Sequence, residues 1–208
     1  MMNVNFVKLN FGARVASTIC LLTLLVSPMS HASAAPQTLV EDITKQLFAS
    51  AKANNAAVKK SDAYVAEVQK ILEGVVDFPF IAKTVMRKSA PDAKPEQVEK
   101  FTQVFKTGLI QTYAKGIANY ADSEVKTLPA TPGKKPTRTT VDQDVTNKGT
   151  THKLSYTFEQ NAAGDWKLIN VVLNGVNLGQ SFTSQFDEAM LKQGKDLDKV
   201  IANWLSAN

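Results

Sequence analysis

TRTTVDQDVTNKGTTHKLSYTFEQNAAGDWKLINVVL, residues 137–173, is the stretch whose pattern decides the fold. β-Branched and alternating residues run over Thr137 to Val145, Lys153 to Glu159 and Trp166 to Leu173, which reads as three strands. The connections Asn147-Lys148-Gly149 and Asn161 to Gly164 are rich in turn formers, so consecutive strands are expected to pair antiparallel. Upstream, Glu124 to Leu128 supplies a fourth strand through the turn-rich Pro129 to Pro136, and the expected sheet is a meander. In the strand after Gly149, Leu154, Tyr156 and Phe158 point one way and Lys153, Ser155, Thr157 and Glu159 the other, so one face is wet there. The last strand is apolar on both sides: Trp166, Leu168 and Val172 alternate with Ile169, Val171 and Leu173. Its second face needs a cover, which the C-terminal segment can supply.

Outward from the sheet the period changes to that of helices. Leu39, Val40, Ile43, Leu47 and Phe48 form one amphipathic stripe. A second helix, capped by Ser61 or Asp62, carries Tyr64, Val65, Val68, Ile71 and Leu72 and stops at Gly74. Asp77 caps a third, with Pro79 in its first turn, Phe80, Ile81, Val85 and Met86 on its buried face, and Pro91 as its end. The longest runs from Pro95 to about Tyr120 with Phe101, Phe105, Leu109, Tyr113 and Ile117 on a broad side. After Asn174-Gly175 the helical period returns through Phe182, Phe186, Met190, Val200, Ile201 and Trp204. Helices followed by strands and closed by helices predict an α+β domain, with an antiparallel sheet of about four strands covered by N-terminal helices.

The N-terminus carries Lys8 and Arg14 without an acid, then an apolar run from Val15 to Val26 and the triplet Ala32-Ser33-Ala34. That order is a secretory signal, and the run falls short of the roughly 20 residues of a membrane span. Residues 1–34 are therefore expected to be removed, leaving a single exported soluble domain of residues 35–208. Cys20, behind Ile19, does not have the setting of a lipidated cysteine. With the leader go the only cysteine, His31, Lys8 and Arg14, so the 24 basic residues fall to 22 against 19 acidic ones. So mild and scattered a charge does not point to nucleic acid.

Little chemistry remains in the expected mature chain. His152 opens a strand with Asp142 and Asp144 on the strand before it, and a His–Asp pair across that hairpin would be an acid–base device. No Gly-rich phosphate loop, metal-spaced cluster or G-x-S-x-G elbow occurs. Asp142-Gln143-Asp144 lacks the glycine and closing glutamate of a calcium loop. The aromatic and aliphatic stripes suggest an interior able to hold an apolar ligand. Phe80, Ile81, Val85, Phe105, Leu109 and Tyr113 from the helices, with Leu128, Val141, Leu154, Tyr156, Phe158, Ile169, Val171 and Leu173 from the sheet, are its expected lining. Tyr113, Tyr120 and Tyr156 carry hydroxyls suited to a pocket rim. Three readings stay open on these grounds: an apolar-ligand carrier, a small-molecule enzyme using His152, and an adaptor with a filled core.

Several short segments together resemble the MlaC family of periplasmic lipid-binding proteins of phospholipid transport, also called the toluene-tolerance family. Val76-Asp77-Phe78-Pro79-Phe80-Ile81-Ala82 is similar to its Asp-Phe helix start, and Asp165-Trp166-Lys167-Leu168-Ile169-Asn170-Val171 to its tryptophan strand. Asn174-Gly175-Val176-Asn177-Leu178-Gly179, followed by Phe182-Thr183-Ser184-Gln185-Phe186, resembles its Gly-hydrophobic-Ser/Asn-Leu turn and the helix ending in Gln-Phe. Many members have Arg where Thr183 stands. The resemblance implies a nuclear-transport-factor-like fold with added helices, a cavity for phospholipid acyl chains, and no catalytic residues or cofactor besides lipid cargo. It also implies partners: an inner-membrane ABC transporter complex with a lipid-tunnel ring and an outer-membrane lipoprotein-porin complex. The expected role is to keep the outer membrane's lipid asymmetry.

Overall fold

Residues 35–53 and 62–204 are described by the computed structural model. The signal segment read from residues 1–34, and Ser61 as a cap, lie outside the described residues. Four helices come first: α1 (Pro36–Ala53), α2 (Asp62–Glu73), α3 (Phe78–Met86) and α4 (Pro95–Ala118). Asp77 caps α3 by accepting from the Phe80 N–H at 2.9 Å, with Pro79 in the first turn where no donor is missed. That helix stops at Met86, short of Pro91. Pro95 starts α4, and Gln97 reaches back to the Lys94 N–H.

Six strands follow, four of them the expected ones: β1 (Glu124–Thr127), β2 (Thr131–Pro132), β3 (Arg138–Asn147), β4 (Thr150–Gln160), β5 (Trp166–Leu173) and β6 (Val176–Asn177). The four long ones form an antiparallel meander, so the molecule is α+β. Two short strands were not legible in the pattern. β2 pairs with β3 farther along the same edge as β1, and β6 pairs with β5. The outer side of β5 is also met by the backbone at Val76, where the Asp77 N–H donates to Leu168 and the Leu168 N–H to Val75. Helices α5 (Leu178–Lys192) and α6 (Leu197–Asn203) follow, α5 lying against β5 and α3.

Directly paired residues of antiparallel strands share a face. Thr139, Val141, Gln143 and Val145 of β3 stand opposite Phe158, Tyr156, Leu154 and His152 of β4, and this inner face is the one α1 covers. On β5 the row continues through Leu173 and Val171, opposite Leu154 and Tyr156. Then the register shifts: Thr157 pairs with Asn170 but Phe158 with Leu168, so Ile169 is the extra residue of a β-bulge. The bulge reverses the phase, and both Leu168 and Val171 reach the inner face. Strict alternation had separated them.

Buried apolar side chains form three clusters. One lies wholly among α3, α4, α5 and α6, around Phe101, Phe105, Phe186 and Trp204. The second joins α1, α2 and α4 with Phe78, around Tyr64, Val68, Ile110 and Ala114. The third, Val40, Val75, Val141 and Phe158, joins α1 to the sheet. A domain of ordinary build has one contiguous core. Here the side chains between clusters, such as Leu109 and Val76, are only half-buried and touch two clusters each.

Candidate functional site

The expected lining residues fall into six environments. Leu154, Tyr156, Val171 and Leu173 form a contiguous half-buried apolar patch on the inner face of β4 and β5. On α4, Leu109 and Tyr113 are half-buried at helical spacing, as Ile81 is on α3. Burial pushes the Tyr113 hydroxyl's pKa up, and that of Tyr156 much farther.

Others are corrected. Val85 and Phe105 are each 1% exposed in the helical cluster, where Phe105 meets Phe182 edge-on at 5.1 Å and Phe101 at 5.7 Å. They are filled core, because a helical stripe reports burial without reporting what does the burying. Val141 and Phe158 face inward but are sealed in the α1–sheet cluster. Leu128 lies on the opposite face: Thr127 pairs with inward Gln143, and the Leu128 N–H donates to Asp142. Phe80 is exposed and lines, with the bulge residue Ile169, Asp77 and Glu159, a separate groove of about 310 Å³.

The His152 pairing with Asp142 or Asp144 is also corrected. His152 stands opposite Val145 on the inner face, whereas Asp142 and Asp144 stand opposite Ser155 and Lys153 on the other. Asp144 is taken by Lys153 at 3.1 Å. The imidazole lies edge-on to Tyr120, 5.3 Å between ring centres, with Nε2 3.5 Å from the Tyr120 hydroxyl. Asn174 Nδ2 donates to Nδ1 at 3.2 Å; Asn174 Oδ1 accepts from the Lys153 N–H, which fixes the amide's orientation. Among the described residues no carboxylate orients this imidazole as a base.

A polar device on the inner face went unread in the sequence. Gln143 is 1% exposed, its amide nitrogen donating to Thr44 Oγ1 at 3.2 Å and to Thr127 Oγ1 at 3.1 Å. The Tyr156 hydroxyl donates to its oxygen at 3.1 Å. The signal was present: Gln143 lies between Val141 and Val145 in an alternating strand, so a polar residue occupies an inward position. Beside it, between α1 and β1, lies an open groove of about 480 Å³, lined by Thr44, Phe48, Ala49, Val125, Thr127 and Gln143, with Lys45 and Lys52 at its margin.

Among the described residues no group of three His, Cys, Asp or Glu side chains could hold a metal ion, and no helix is long and apolar enough to cross a membrane. The arrangement offers a half-buried apolar surface bounded by hydroxyls and amides, suited to enclosing apolar chains.

Known proteins point the same way. The family model described as MlaC protein matches residues 41–206. The toluene tolerance protein ttg2D of Pseudomonas putida is 36% identical over 181 residues, spanning 85% of this chain and 82% of that protein. The intermembrane phospholipid transport system binding protein MlaC of Haemophilus influenzae is 26% identical over 110 residues, 52% of this chain and 51% of that one. Among solved structures, a phospholipid-binding protein from Ralstonia solanacearum in complex with a phospholipid superposes with a TM-score of 0.70 at 25% identity. That match covers 82% of this chain and 98% of the other.

Proposed function

Because the chain belongs to the MlaC family, we propose that it is a periplasmic phospholipid carrier and not an enzyme. Residues 1–34 direct export and are removed, and residues 35–208 act as one lipid-binding domain. The carrier moves phospholipid between an outer-membrane lipoprotein-porin complex and an inner-membrane ABC transporter complex with a lipid-tunnel ring, and so maintains outer-membrane asymmetry. The observation that carries this reading is the likeness to a structure holding a phospholipid, a likeness that extends over nearly all of that protein. The half-buried patch of Leu154, Tyr156, Val171 and Leu173, with Leu109 and Tyr113 of α4, is the proposed acyl-chain surface.

Physics accounts for a carrier without catalytic groups. Each acyl methylene exposed to water costs about 0.8 kcal/mol, so a diacyl lipid leaving a bilayer unescorted faces on the order of 20 kcal/mol. Burying the chains removes most of that barrier, and the headgroup can stay in water. The protein needs only to enclose the chains and to let them go.

Native mass spectrometry of the mature protein purified from a bacterial periplasm, with lipid analysis of its organic extract, tests the reading. A stoichiometric phospholipid adduct is expected. Leu109→Trp, placing a bulky ring at the junction of two helical clusters, is expected to lower that adduct severalfold while leaving the helical circular-dichroism signal in place. A wild-type protein that is free of lipid and takes none from vesicles would sink the carrier reading.

A further inference from the structure

Gln143 stands between an open groove and a half-buried apolar row on one face of the sheet. Toward β1 lies the groove of Phe48, Ala49 and Val125; toward β5 lies the half-buried row of Leu154, Tyr156, Val171 and Leu173. The groups that hold its amide come from both sides and from above: Thr127 from β1, Tyr156 from β4 and Thr44 from α1. The network therefore spans from the helix to the sheet, and Gln143 and Thr127 are themselves walls of the groove.

A leucine would fill this position without needing partners. The glutamine has its donors and its oxygen paired, and that pairing makes it hard to displace: pushing its buried amide aside breaks its bonds to Thr44 and Thr127 and leaves the Tyr156 hydroxyl without its acceptor. An acyl chain has nothing to offer in exchange, since a methylene neither donates nor accepts. A chain lying along β4 and β5 meets apolar side chains until it reaches this amide, and there it must stop.

We infer that Gln143, held by Thr44, Thr127 and Tyr156, is a polar wall that ends the acyl-chain compartment toward β1 and so sets the chain length the carrier accepts. The inference rests on the carrier reading above. Gln143 acts as a specificity-determining residue, and the groove beyond it is kept free of acyl chain in the native protein. Each methylene that would have to pass the wall is rejected roughly fourfold, the factor that corresponds to leaving it in water.

The decisive variant is Gln143→Leu with Tyr156→Phe, which removes the amide and the hydroxyl that would otherwise be stranded against the new side chain. Phospholipid co-purified from the periplasm with this variant and with the wild type is extracted and its acyl chains are measured. The variant is expected to shift toward longer chains by roughly fourfold per added methylene. Adding Ala49→Trp, which fills the groove from α1, is expected to return the profile to that of the wild type. An unchanged profile in a folded double variant overturns the proposal.

Should the double variant fail to fold, the wild type decides. It is loaded with a phospholipid carrying a diazirine at the end of one acyl chain and irradiated. Adducts are expected on β4 and β5; adducts on Phe48 or Val125 would mean that the chain passes Gln143, and the wall does not exist. A wild type that binds no phospholipid at all defeats the carrier reading itself, and with it the wall, before any variant is compared.

Discussion

Asp187 of α5 shows how one side chain ties distant parts of the chain. Its carboxylate accepts from the Ser89 hydroxyl and from Lys88 Nζ at 3.0 Å, joining α5 to the segment after α3. The Ser89 hydrogen bond, then Lys88, holds its pKa below the ordinary carboxylate range. A lowered pKa contributes stability above the unfolded value of about 3.9, and that stability is lost as pH falls through the native value. Asp187→Asn is therefore expected to cost up to about 1 kcal/mol near pH 7, since Lys88 is well exposed, and less near pH 3. Urea midpoints at the two pH values measure this; a cost independent of pH would assign the loss to geometry rather than to charge. At this scale the sequence was legible wherever strand phase was unbroken. Leu154, Tyr156 and Phe158 share the face that alternation assigned them. Ile169 and Leu168 were misphased because a bulge leaves no mark in composition, and Val85 and Phe105 were misplaced because a buried stripe looks the same against side chains as against a void. Gln143 sits between two aspartates, where charge dominates the pattern, although its place between two inward valines marks it as an inward polar residue.

The link between β5 and α5 is the element on which the family resemblance bears most heavily, and its residues have local jobs. Asn174 at φ 49° and Gly175 at φ 84° make the two-residue turn of the β5–β6 hairpin. Asn177 caps α5 by accepting from the Gln180 N–H at 3.1 Å. Gly179 lets the first turn of α5 approach β5: a Cβ there would lie 2.7 Å from Asn170 Oδ1, the atom that accepts the Gly179 N–H at 3.1 Å. Gly179→Ala is expected to cost about 1 kcal/mol, since Asn170 Oδ1 must turn away and gives up its bond from the Gly179 N–H. Thermal melts check it, and in an Asn170→Ala background the added cost should shrink, because the clashing oxygen is gone. Thr183 donates to the Gly179 carbonyl at 3.0 Å within the same helix. The long strands and all six described helices were readable from period and caps. β2 and β6, two residues each, were not, since so short a pairing has no period to detect and is set by what lies beside it.

For the whole molecule the division of the core is the feature that reaches farthest. Three clusters share half-buried apolar side chains, such as Leu109 and Val76, that stay part-exposed. On the carrier reading, lipid binds only the folded protein, so cargo stabilises it by linkage, about 2.7 kcal/mol at a hundredfold excess over Kd. Protein stripped of lipid is expected to melt several degrees lower and to recover when reloaded from vesicles, as scanning calorimetry would record; identical melts would mean that no cargo joins the clusters. Such a carrier also has to survive being empty. Incomplete interiors invite chains to associate through open strand edges. One edge of this sheet is β1, with Glu124 and Lys126 along it, then Pro129, then β2 ending at Pro132. At the other edge β5 is occupied by Val76 and then by β6, which turns at once into a helix. Prolines and charges on one side and occupied main chain on the other leave a neighbouring molecule little backbone to pair with, so on the carrier reading the discharged protein can wait in a crowded compartment without aggregating.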